Sequence, residues 1–419
     1  MPFAIVSGYL NRWLGFQESQ PRLFMKSTTI DHNPVTLTLT SGPGTAAVVR
    51  SVVCHDPEGA RAWDIFMSEC PGAHVEQSSA WGTLKQMYGW KPIWVWVTRD
   101  MRIIGGAMLL TRSLGRFATI GYVERGPVWD PAEEGSMELA TDALLKLAQS
   151  LSLTYVAIAP PYCGDNAIRI LKSWQFRQKP EALFPSGVGR ATLLIDLQRD
   201  LNALLADMSM TRRQNVRRGL RKGVQVRVGC GADAGTVRDL MWLGCKRRGI
   251  NPYPPQKDFF ESLWRTLGQH GTARFFIAEI AGEPVSAACA QVFGGTLQLW
   301  RVGWSGQYED HNPNDVLHWE VIKWAKENGC RTFDFMHIRP DHARAILRGE
   351  KVKDSYSGVT DFKTSFGGQL HLLPELYYRS FHPVGPLALN LGMARFLGSK
   401  RCLNALNKVG SRFLHSRAG

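Results

Sequence analysis

Two stretches of the chain show the same order of predicted elements. In the first, KPIWVWVTRDMRIIGGAML (91–109), two runs rich in Val, Ile and Trp flank a turn at Arg99-Asp100. In the second, TARFFIAEIAGEPVSAACA (272–290), two similar runs flank Ala281-Gly282. Each is followed by another predicted strand, a loop, an α-helix and a further strand. The repeated order indicates an internal duplication and predicts two copies of one α/β unit.

The length of 419 residues also fits two hydrophobic cores better than one. We expect a flexible N-terminal extension at 1–45, a first unit at 46–200 and a second at 201–369. Residues 370–419 are expected to form a return segment and a basic amphipathic tail. The predicted fold class is α/β (α+β), with a mixed, mainly antiparallel sheet flanked by helices in each unit.

The formal net charge of +14 favours an anionic partner, which can be nucleic acid, a phosphate-bearing substrate or an acidic membrane surface. The 8 cysteines are scattered, as in proteins with reduced thiols. No apolar run reaches the roughly 20 residues of a membrane span, and the N-terminus does not resemble a secretory signal. We therefore expect a cytoplasmic protein. The basic tail is equally compatible with disorder and with peripheral contact to the inner face of an anionic membrane.

A basic helix is predicted within DLNALLADMSMTRRQNVRRGLRKG (200–223). Arg213, Arg217 and Arg221 follow one another at intervals of four residues, so the helical period predicts a single basic stripe. Such a stripe can bind phosphates, for which arginine offers a planar fork. The alternative, a solvated helix face, is about as plausible from the sequence.

The segment DFKTSFGG (361–368) contains one lysine between two aromatic residues and ends in paired glycines. The simpler interpretation is a strand with an exposed lysine, followed by a glycine turn. The alternative places the Lys363 ammonium, beside Phe362, in a partly apolar site where it stabilises an oxyanion or a phosphate.

Two further candidates lie in the first unit. In QSSAWGTLKQMYGW (77–90), Lys85 follows Trp81 by one helical turn and shares its face, either as a cation at a cleft rim or as part of an ordinary amphipathic helix. In GYVERGPVWD (121–130), Asp130 is a candidate base, although a loop aspartate more often caps a helix. The histidines and cysteines show no metal-binding spacing, and we predict neither a metal nor a cofactor.

Six stretches, in this order, resemble the FemABX family, whose members have two tandem GNAT-like acyltransferase lobes. They span roughly residues 60–380: QSSAWGTLKQMYGW, YVERGPVWD, RRQNVRRGLRKGVQVRVG, ARFFIAEIAGEPVSA, NDVLHWEVIKWAKENGCRTFDF and DFKTSFGG. Two features depart from the family pattern. No long helical hairpin is predicted between 200 and 260, and Met336-His337 follows the Phe-Asp-Phe strand where a glycine is common.

The resemblance implies transfer of an amino acid from aminoacyl-tRNA, as co-substrate, to an amine of a muramyl-peptide precursor or lipid II in peptidoglycan biosynthesis. Phe362 and Lys363 match the family's Phe-Lys pair, at which the lysine is tied to the acyl donor. Lys85 matches a basic residue near the precursor's diphosphate, and Asp130 falls where a base has been considered. A second diphosphate ligand is expected among Lys246, Arg247, Arg248 and Lys257, and we expect a monomer.

Two other functions stay open. An acyl-CoA-dependent N-acyltransferase of an envelope or exopolysaccharide pathway would share the fold. The sequence offers no clear Arg/Gln-x-x-Gly-x-Gly/Ala loop of the kind that holds the CoA diphosphate on backbone N–H groups. A non-catalytic protein that binds an anionic membrane or nucleic acid would also explain the positive charge.

Overall fold

The structure is a computed structural model that describes residues 36–38, 49–56, 59–70, 72–114, 118–162, 165–178, 190–252, 254–354 and 357–381. The chain forms two compact units, one of 1–187 with 375–419 and the other of 188–374. Each unit contains a mixed sheet flanked by helices, which confirms the predicted fold class. Apart from a short strand at Thr36–Thr38, the expected extension lies outside the described residues, and so does most of the expected basic tail.

The sheet of the first unit has the strand order β1-β2-β3-β4-β5-β7-β16-β8, and β6 pairs with β4. Strands β5 and β7 are parallel, and the other pairs are antiparallel. The elements are β1 Thr36–Thr38, β2 Val49–Cys54, α1 Arg61–Glu69, a 3-10 turn Val75–Gln77, α2 Ser79–Met87, β3 Lys91–Arg99, β4 Arg102–Leu114, β5 Ala118–Glu124, β6 Val128–Trp129, α3 Ser136–Ser150, β7 Tyr155–Ala159, α4 Asp165–Ser173, β8 Arg177–Gln178 and β16 Tyr377–Ser380.

The sheet of the second unit has the order β10-β11-β12-β13-β14-β9-β15. Strands β13 and β14 are parallel, as β5 and β7 are in the first unit, which matches the predicted repetition. The elements are β9 Ala191–Asp196, α5 Leu201–Asp207, α6 Met210–Arg221, β10 Gln225–Val228, α7 Ala234–Arg247, α8 Phe259–Leu263, β11 Ala273–Ile280, β12 Glu283–Phe293, β13 Thr296–Trp304, α9 Pro313–Glu327, β14 Thr332–Asp334, α10 Pro340–Leu347, α11 Ser357–Thr364 and β15 Gln369–Leu372.

The division between the units differs from the boundary predicted at residue 200. Strand β9 belongs to the second sheet because it pairs with β14 on one side and with β15 on the other. The return segment predicted at 370–419 is also divided. Its first part completes β15, whereas β16 pairs with β7 in the first sheet.

Each unit is built around a sheet that is covered by helices. In the first, α3 presents buried Leu144 and Ala148 to the sheet residues Val95 and Leu109. In the second, α9 buries Val316 and Ile322 against Phe276 and Phe333. Among the described residues, no helix combines the length and apolar character that crossing a membrane requires.

A bulge in β13 matters for the site. Cys289 faces Arg301 across the sheet, and the next pair is Ala290 with Leu299, so Trp300 is an extra residue. A bulge of this kind bends the strand and changes the direction of nearby side chains. It lies beside the parallel strand β14, at whose end the candidate site is found.

Candidate active site

Phe362 and Lys363 lie in the last turn of α11, so the strand predicted for this segment is wrong. The Thr364 hydroxyl donates to the Thr360 carbonyl at 3.0 Å, one turn earlier, as is usual in helices. Gly367 and Gly368 follow with φ values of 86° and 90°, which end the helix. The helix holds Phe362 and Lys363 next to the end of β14.

The Lys363 ammonium is surrounded by backbone carbonyls. Its Nζ donates to the carbonyl oxygens of Phe335 at 3.1 Å, Met336 at 2.6 Å and His337 at 3.2 Å. Met336 and His337 have φ values of 51° and 45°, a left-handed conformation that costs energy in residues other than glycine. The curled backbone after β14 therefore forms a cation site, and Lys363 fills it.

The charge of Lys363 is only partly balanced. Burial lowers its pKa to about 8, Asp334 raises the pKa, and Arg301 and Arg248 lower it further. Asp334 is fully buried, and its carboxylate accepts from the Thr192 hydroxyl and, at 2.7 Å, from the Met336 N–H. Two arginines and one aspartate thus act on the same ammonium, which leaves an excess of positive charge.

Two arginines at the end of α7 are also bound by carbonyls. Arg248 Nε donates to the Gly244 carbonyl at 3.1 Å. Arg247 donates to the Trp304 carbonyl, and its guanidinium lies 4.6 Å from the Trp304 ring. Lys363, Arg247 and Arg248 have no carboxylate partner in an ion pair within the described part of the chain. Their positive charge is therefore available to an anion.

Phe362 fixes the position of α11. The Arg212 guanidinium lies 4.2 Å from its ring, and the His318 ring meets it edge-on at 4.9 Å. Arg212 also donates to the Ser365 hydroxyl at 2.9 Å and forms an ion pair with Asp315. These contacts join α11 to α6 and α9. Burial lowers the pKa of His318 to about 4, so its ring is neutral near pH 7.

The prediction that Arg213, Arg217 and Arg221 form one basic stripe on α6 is wrong for Arg213. Its guanidinium donates to the carbonyls at the end of α5, including that of Ala206 at 2.8 Å, and so caps that helix. Arg217 is exposed. Lys257 is exposed too, and its described contact is a carbonyl that accepts from Arg238 at 3.3 Å. No described contact joins Lys257 to Lys363.

The predicted pairing of Trp81 and Lys85 on one face of α2 is confirmed. Lys85 Nζ lies 4.8 Å from the Trp81 ring and 3.3 Å from the Glu124 carboxylate. Trp81 Nε1 donates to the same carboxylate at 3.3 Å. Glu124, at the end of β5, thus neutralises Lys85, the residue predicted from the sequence to bind a diphosphate.

A buried carboxyl, Glu76, lies beside this pair and was not found from the sequence. Burial is the main cause that raises its pKa to about 7, with Glu124 adding to the rise and Arg125 and Lys85 opposing it. Its Oε2 has no hydrogen-bond partner among the described residues. The first unit therefore contains a carboxyl that is about half protonated near pH 7.

Asp130 follows β6 and is bound locally. Its carboxylate accepts from Arg102 at 3.0 Å and from the Ala132 N–H at 3.0 Å. Its carbonyl accepts from the Ser136 hydroxyl at 2.8 Å, at the start of α3. These contacts are those of a residue that shapes the entry to a helix, which was the alternative to a catalytic base.

Sequence reasoning missed Arg301, Asp334 and Glu76. Arg301 is placed by the bulge in β13, and no residue pattern marks that irregularity. Asp334 stands within the Phe-Asp-Phe strand, where a charged residue between buried aromatics was a usable signal. Glu76 lies in a 3-10 turn, and its complete burial depends on distant strands.

One group of side chains has the spacing of metal ligands. The ligand atoms of Asp341, His342 and Asp354 lie within 4.8 Å of one another. Both His342 ring nitrogens already have partners, Thr360 at 2.8 Å and Asp354 at 2.9 Å, and Arg339 forms ion pairs with both aspartates. The group is therefore an ion-pair network that links α10 to α11.

Comparisons with known proteins find a family-model match in each unit. The model of the FemAB family matches residues 60–169, and that of an acetyltransferase (GNAT) domain matches residues 210–344. The resemblance to the FemAB family is confirmed. The FemAB match covers α2 with Trp81 and Lys85, and the GNAT match covers the bulged β13 and the carbonyls around Lys363.

Curated FemAB-type relatives include two lipid II:glycine glycyltransferases. That of Staphylococcus saprophyticus is 24% identical over 235 residues, which are 54% of this chain and 55% of the relative. That of Staphylococcus haemolyticus is 20% identical over 343 residues, 65% of this chain and 81% of the relative. The chain thus spans about half the length of the first relative.

A crystal structure of FemX has the same fold. The match has a TM-score of 0.70 at 18% identity and covers 81% of this chain and 99% of the FemX chain. At this identity the likeness shows the fold alone. The chemistry must therefore be argued from the residues described above.

Proposed function

We propose that this protein is an aminoacyltransferase that moves an aminoacyl group from aminoacyl-tRNA to a primary amine of a peptidoglycan precursor, either a muramyl peptide or lipid II. The observation that supports it most directly is the excess of positive charge around Lys363. Lys363 and Arg248, whose charges act on each other, are bound by carbonyls and not by carboxylates, and so is Arg247, which acts on Arg248. The staphylococcal relatives are named for the acceptor lipid II, which supports a lipid II acceptor in this proposal.

The reaction is attack of a neutral amine nitrogen on the carbonyl carbon of the aminoacyl ester. A C–N bond forms, and the carbonyl electron pair moves to oxygen to give a tetrahedral oxyanion. The C–O bond to the ribose then breaks, and the ribose hydroxyl receives the proton that the amine loses. The positive charge of Lys363 stabilises the oxyanion, and orientation of the two substrates lowers the barrier by about 7 kcal/mol or more.

Lys363 acts through its charge and through the backbone it holds. Its three described hydrogen bonds go to the carbonyls of Phe335, Met336 and His337, so direct contact with an oxyanion requires the replacement of one of them. Phe362 is a positioning residue in this proposal, because its ring fixes α11 against Arg212. Arg247 and Arg248 are assigned to an anionic group of a substrate.

In the first unit, we assign Lys85 to the diphosphate of the acceptor, with Trp81 packed against its side chain. An incoming phosphate must then compete with Glu124, which binds Lys85 in this structure. We assign no catalytic step to Asp130, because Arg102 and the Ala132 N–H bind its carboxylate. Before it attacks, the ammonium form of the acceptor loses one proton to the substrate or to solvent and becomes the neutral amine.

The start of α9 argues against acyl-CoA as the donor. In GNAT enzymes the CoA diphosphate is held on backbone N–H groups of a loop between a strand and the following helix. Here that loop contains Glu309, and Asp310 and Asp315 form ion pairs with Lys222 and Arg212. The helix begins with Pro313, which has no N–H and so removes one of the donors that a diphosphate would need.

The test offers both donors to the purified protein. One set of reactions contains tRNAs charged with labelled amino acids, the other labelled acyl-CoA thioesters, each with lipid II. The control acceptor is lipid II whose free amine has been acetylated. We expect labelled product from charged tRNA with the unmodified acceptor only. Product from acyl-CoA alone would contradict the proposal that aminoacyl-tRNA is the donor. Product from the acetylated acceptor would mean that the new bond forms at a group other than the free amine.

A further inference from the structure

The basic residues of α6 fall into two sets. Arg212 forms an ion pair with Asp315, Arg213 caps α5, and Lys222, which follows the helix, forms an ion pair with Asp310. The second set, Arg217, Arg218 and Arg221, is exposed. Within the described residues, none of these three has an ion pair or a hydrogen bond through its guanidinium.

The second set lies on one face of the helix. Arg217 and Arg221 are four residues apart and Arg218 and Arg221 are three apart, so their side chains are neighbours. Like charges at these intervals destabilise a helix. No acidic residue in the described part of the chain forms an ion pair with any of the three. An anion from outside the chain would offset that repulsion.

The opposite face of α6 is fixed on the core. Val216 is buried, and Gly219 lies directly against α9. A Cβ at Gly219 would come within 2.5 Å of both the His311 carbonyl and Val316 Cγ2. Only a residue without a side chain allows this approach, so the helix backbone is held close to α9. The three arginines therefore project from a rigid support.

This face starts near the candidate active site. The Ser209 N–H, just before α6, donates to the Ser365 carbonyl at 2.9 Å, just after α11. Phe362 on α11 packs on Arg212 of α6. The helix has 12 residues and extends about 18 Å from that point. A polyanion bound along this helix would therefore extend away from Lys363.

The chemistry of the face distinguishes between two anionic partners. A helix that binds a membrane surface needs an apolar face free to enter the lipid. On α6, Val216 is 2% exposed and packs in the core, whereas Met210 and Leu220 are exposed but lie ten residues apart, so they form no continuous apolar face. Arginine guanidinium groups match phosphates with two parallel hydrogen bonds. We propose that Arg217, Arg218 and Arg221 bind the phosphate backbone of RNA, and specifically of the tRNA that brings the aminoacyl group.

This inference rests on the proposed function, and its test separates the two. Unacylated bulk tRNA is titrated into the full chain by filter binding at several salt concentrations. The variant has Arg217→Ala, Arg218→Ala and Arg221→Ala. Alanine favours helix at least as much as arginine, so α6 is retained. The matched control removes three other exposed cations with the same change in charge, by Arg61→Ala, Lys351→Ala and Lys353→Ala.

We expect the α6 variant to bind tRNA at least tenfold more weakly, and the control to stay within about twofold of the parent. Loss of three phosphate contacts lowers the slope of log K against log salt by about 2. In the transfer assay we expect a higher KM for charged tRNA at unchanged kcat. Equal binding by the variant and the parent overturns the inference and leaves the proposed function standing.

Two other outcomes are decisive. If the parent chain itself does not bind tRNA, the tRNA donor is excluded, and the proposed function and this inference fail together. A second titration uses vesicles of phosphatidylglycerol and phosphatidylcholine. If the α6 variant loses binding to vesicles while it keeps binding to tRNA, the face binds lipid and the RNA assignment is overturned.

Discussion

The cations of the candidate sites have different kinds of partner in the two units. In the first, Lys85 and Arg102 form ion pairs with Glu124 and Asp130. In the second, Lys363 is held by three carbonyl oxygens at the end of β14. Carboxylates cancel the charge of a cation, whereas carbonyl dipoles bind it and leave the net charge in place.

This difference assigns different chemistry to the two units. A site with retained positive charge suits an ester whose carbonyl oxygen becomes negative during reaction. A site with paired charges binds a phosphate only by exchange, because Lys85 must leave Glu124 to reach it. The first unit also contains Glu76, a buried carboxyl next to the pair whose pKa is raised to about 7. The buried carboxylate of the second unit, Asp334, instead accepts from Thr192 and the Met336 N–H and raises the pKa of Lys363.

The largest expected effect on stability is that of Glu76→Gln. The folded protein raises the pKa of Glu76 from 4.5 to about 7, so between these values it binds more protons than the unfolded chain. The free energy of unfolding of the parent therefore falls as pH rises through this window, by up to about 3 kcal/mol. Urea denaturation from pH 4.5 to pH 8 should show this loss in the parent and not in the variant.

Glu69→Gln is the control, since Glu69 is exposed. Its unfolding free energy should follow that of the parent across the whole pH range. Parallel curves for the parent and Glu76→Gln would mean that the buried carboxyl is not protonated on folding. The contrast between a carboxyl-rich first unit and a cationic second unit would then lose its main support.

Arg213→Ala and Arg217→Ala compare two cations on the same helix. Arg213 is bound by carbonyls at the end of α5, and its loss should cost about 2 kcal/mol of unfolding free energy. Arg217 is exposed, so its loss should change that free energy by less than about 0.5 kcal/mol. Equal effects in chemical denaturation would show that the carbonyls do not hold Arg213.

A small effect on both stability and transfer rate is expected for Asp130→Asn. The ion pair with Arg102 is weak, since the Arg102 side chain is 70% exposed, and asparagine still accepts from the Ala132 N–H. The unfolding free energy should fall by about 0–1 kcal/mol, and the transfer rate should change by less than about twofold. A rate that falls about a hundredfold at unchanged stability would identify Asp130 as the base after all.

The sequence predicted the elements that depend on local order. The repeated strands gave two units, and helical periodicity put Trp81 and Lys85 on one face. It did not place β9 in the second sheet, because the partners of that strand, β14 and β15, lie far along the chain. Pairing over such distances leaves no local pattern.

The local conformation at Lys363 was also beyond sequence reasoning. Val359 and Thr360 favour a strand, but Thr360 binds His342 of α10, and this tertiary contact supports a helix. The left-handed Met336 and His337 are likewise fixed by Lys363 and not by their own preferences. Tertiary contacts thus decided the details of the site, while the sequence identified its lysine.

The most direct test of the account is the rate of aminoacyl transfer in Lys363→Met, measured in a single turnover with charged tRNA and lipid II. The control is Lys353→Met, since Lys353 is an exposed lysine of the same unit. Loss of the charge at position 363 should lower the rate about 100-fold or more, while the control keeps the parent rate. Thermal denaturation verifies that both variants are folded at the assay temperature.

The parent rate should also fall as pH rises above about 8, the pKa of Lys363, because the ammonium loses its charge there. The Lys363→Met variant should lack that decline. A folded Lys363→Met variant with the rate and pH profile of the parent would contradict the account, because the retained charge of the second unit would then have no part in the reaction.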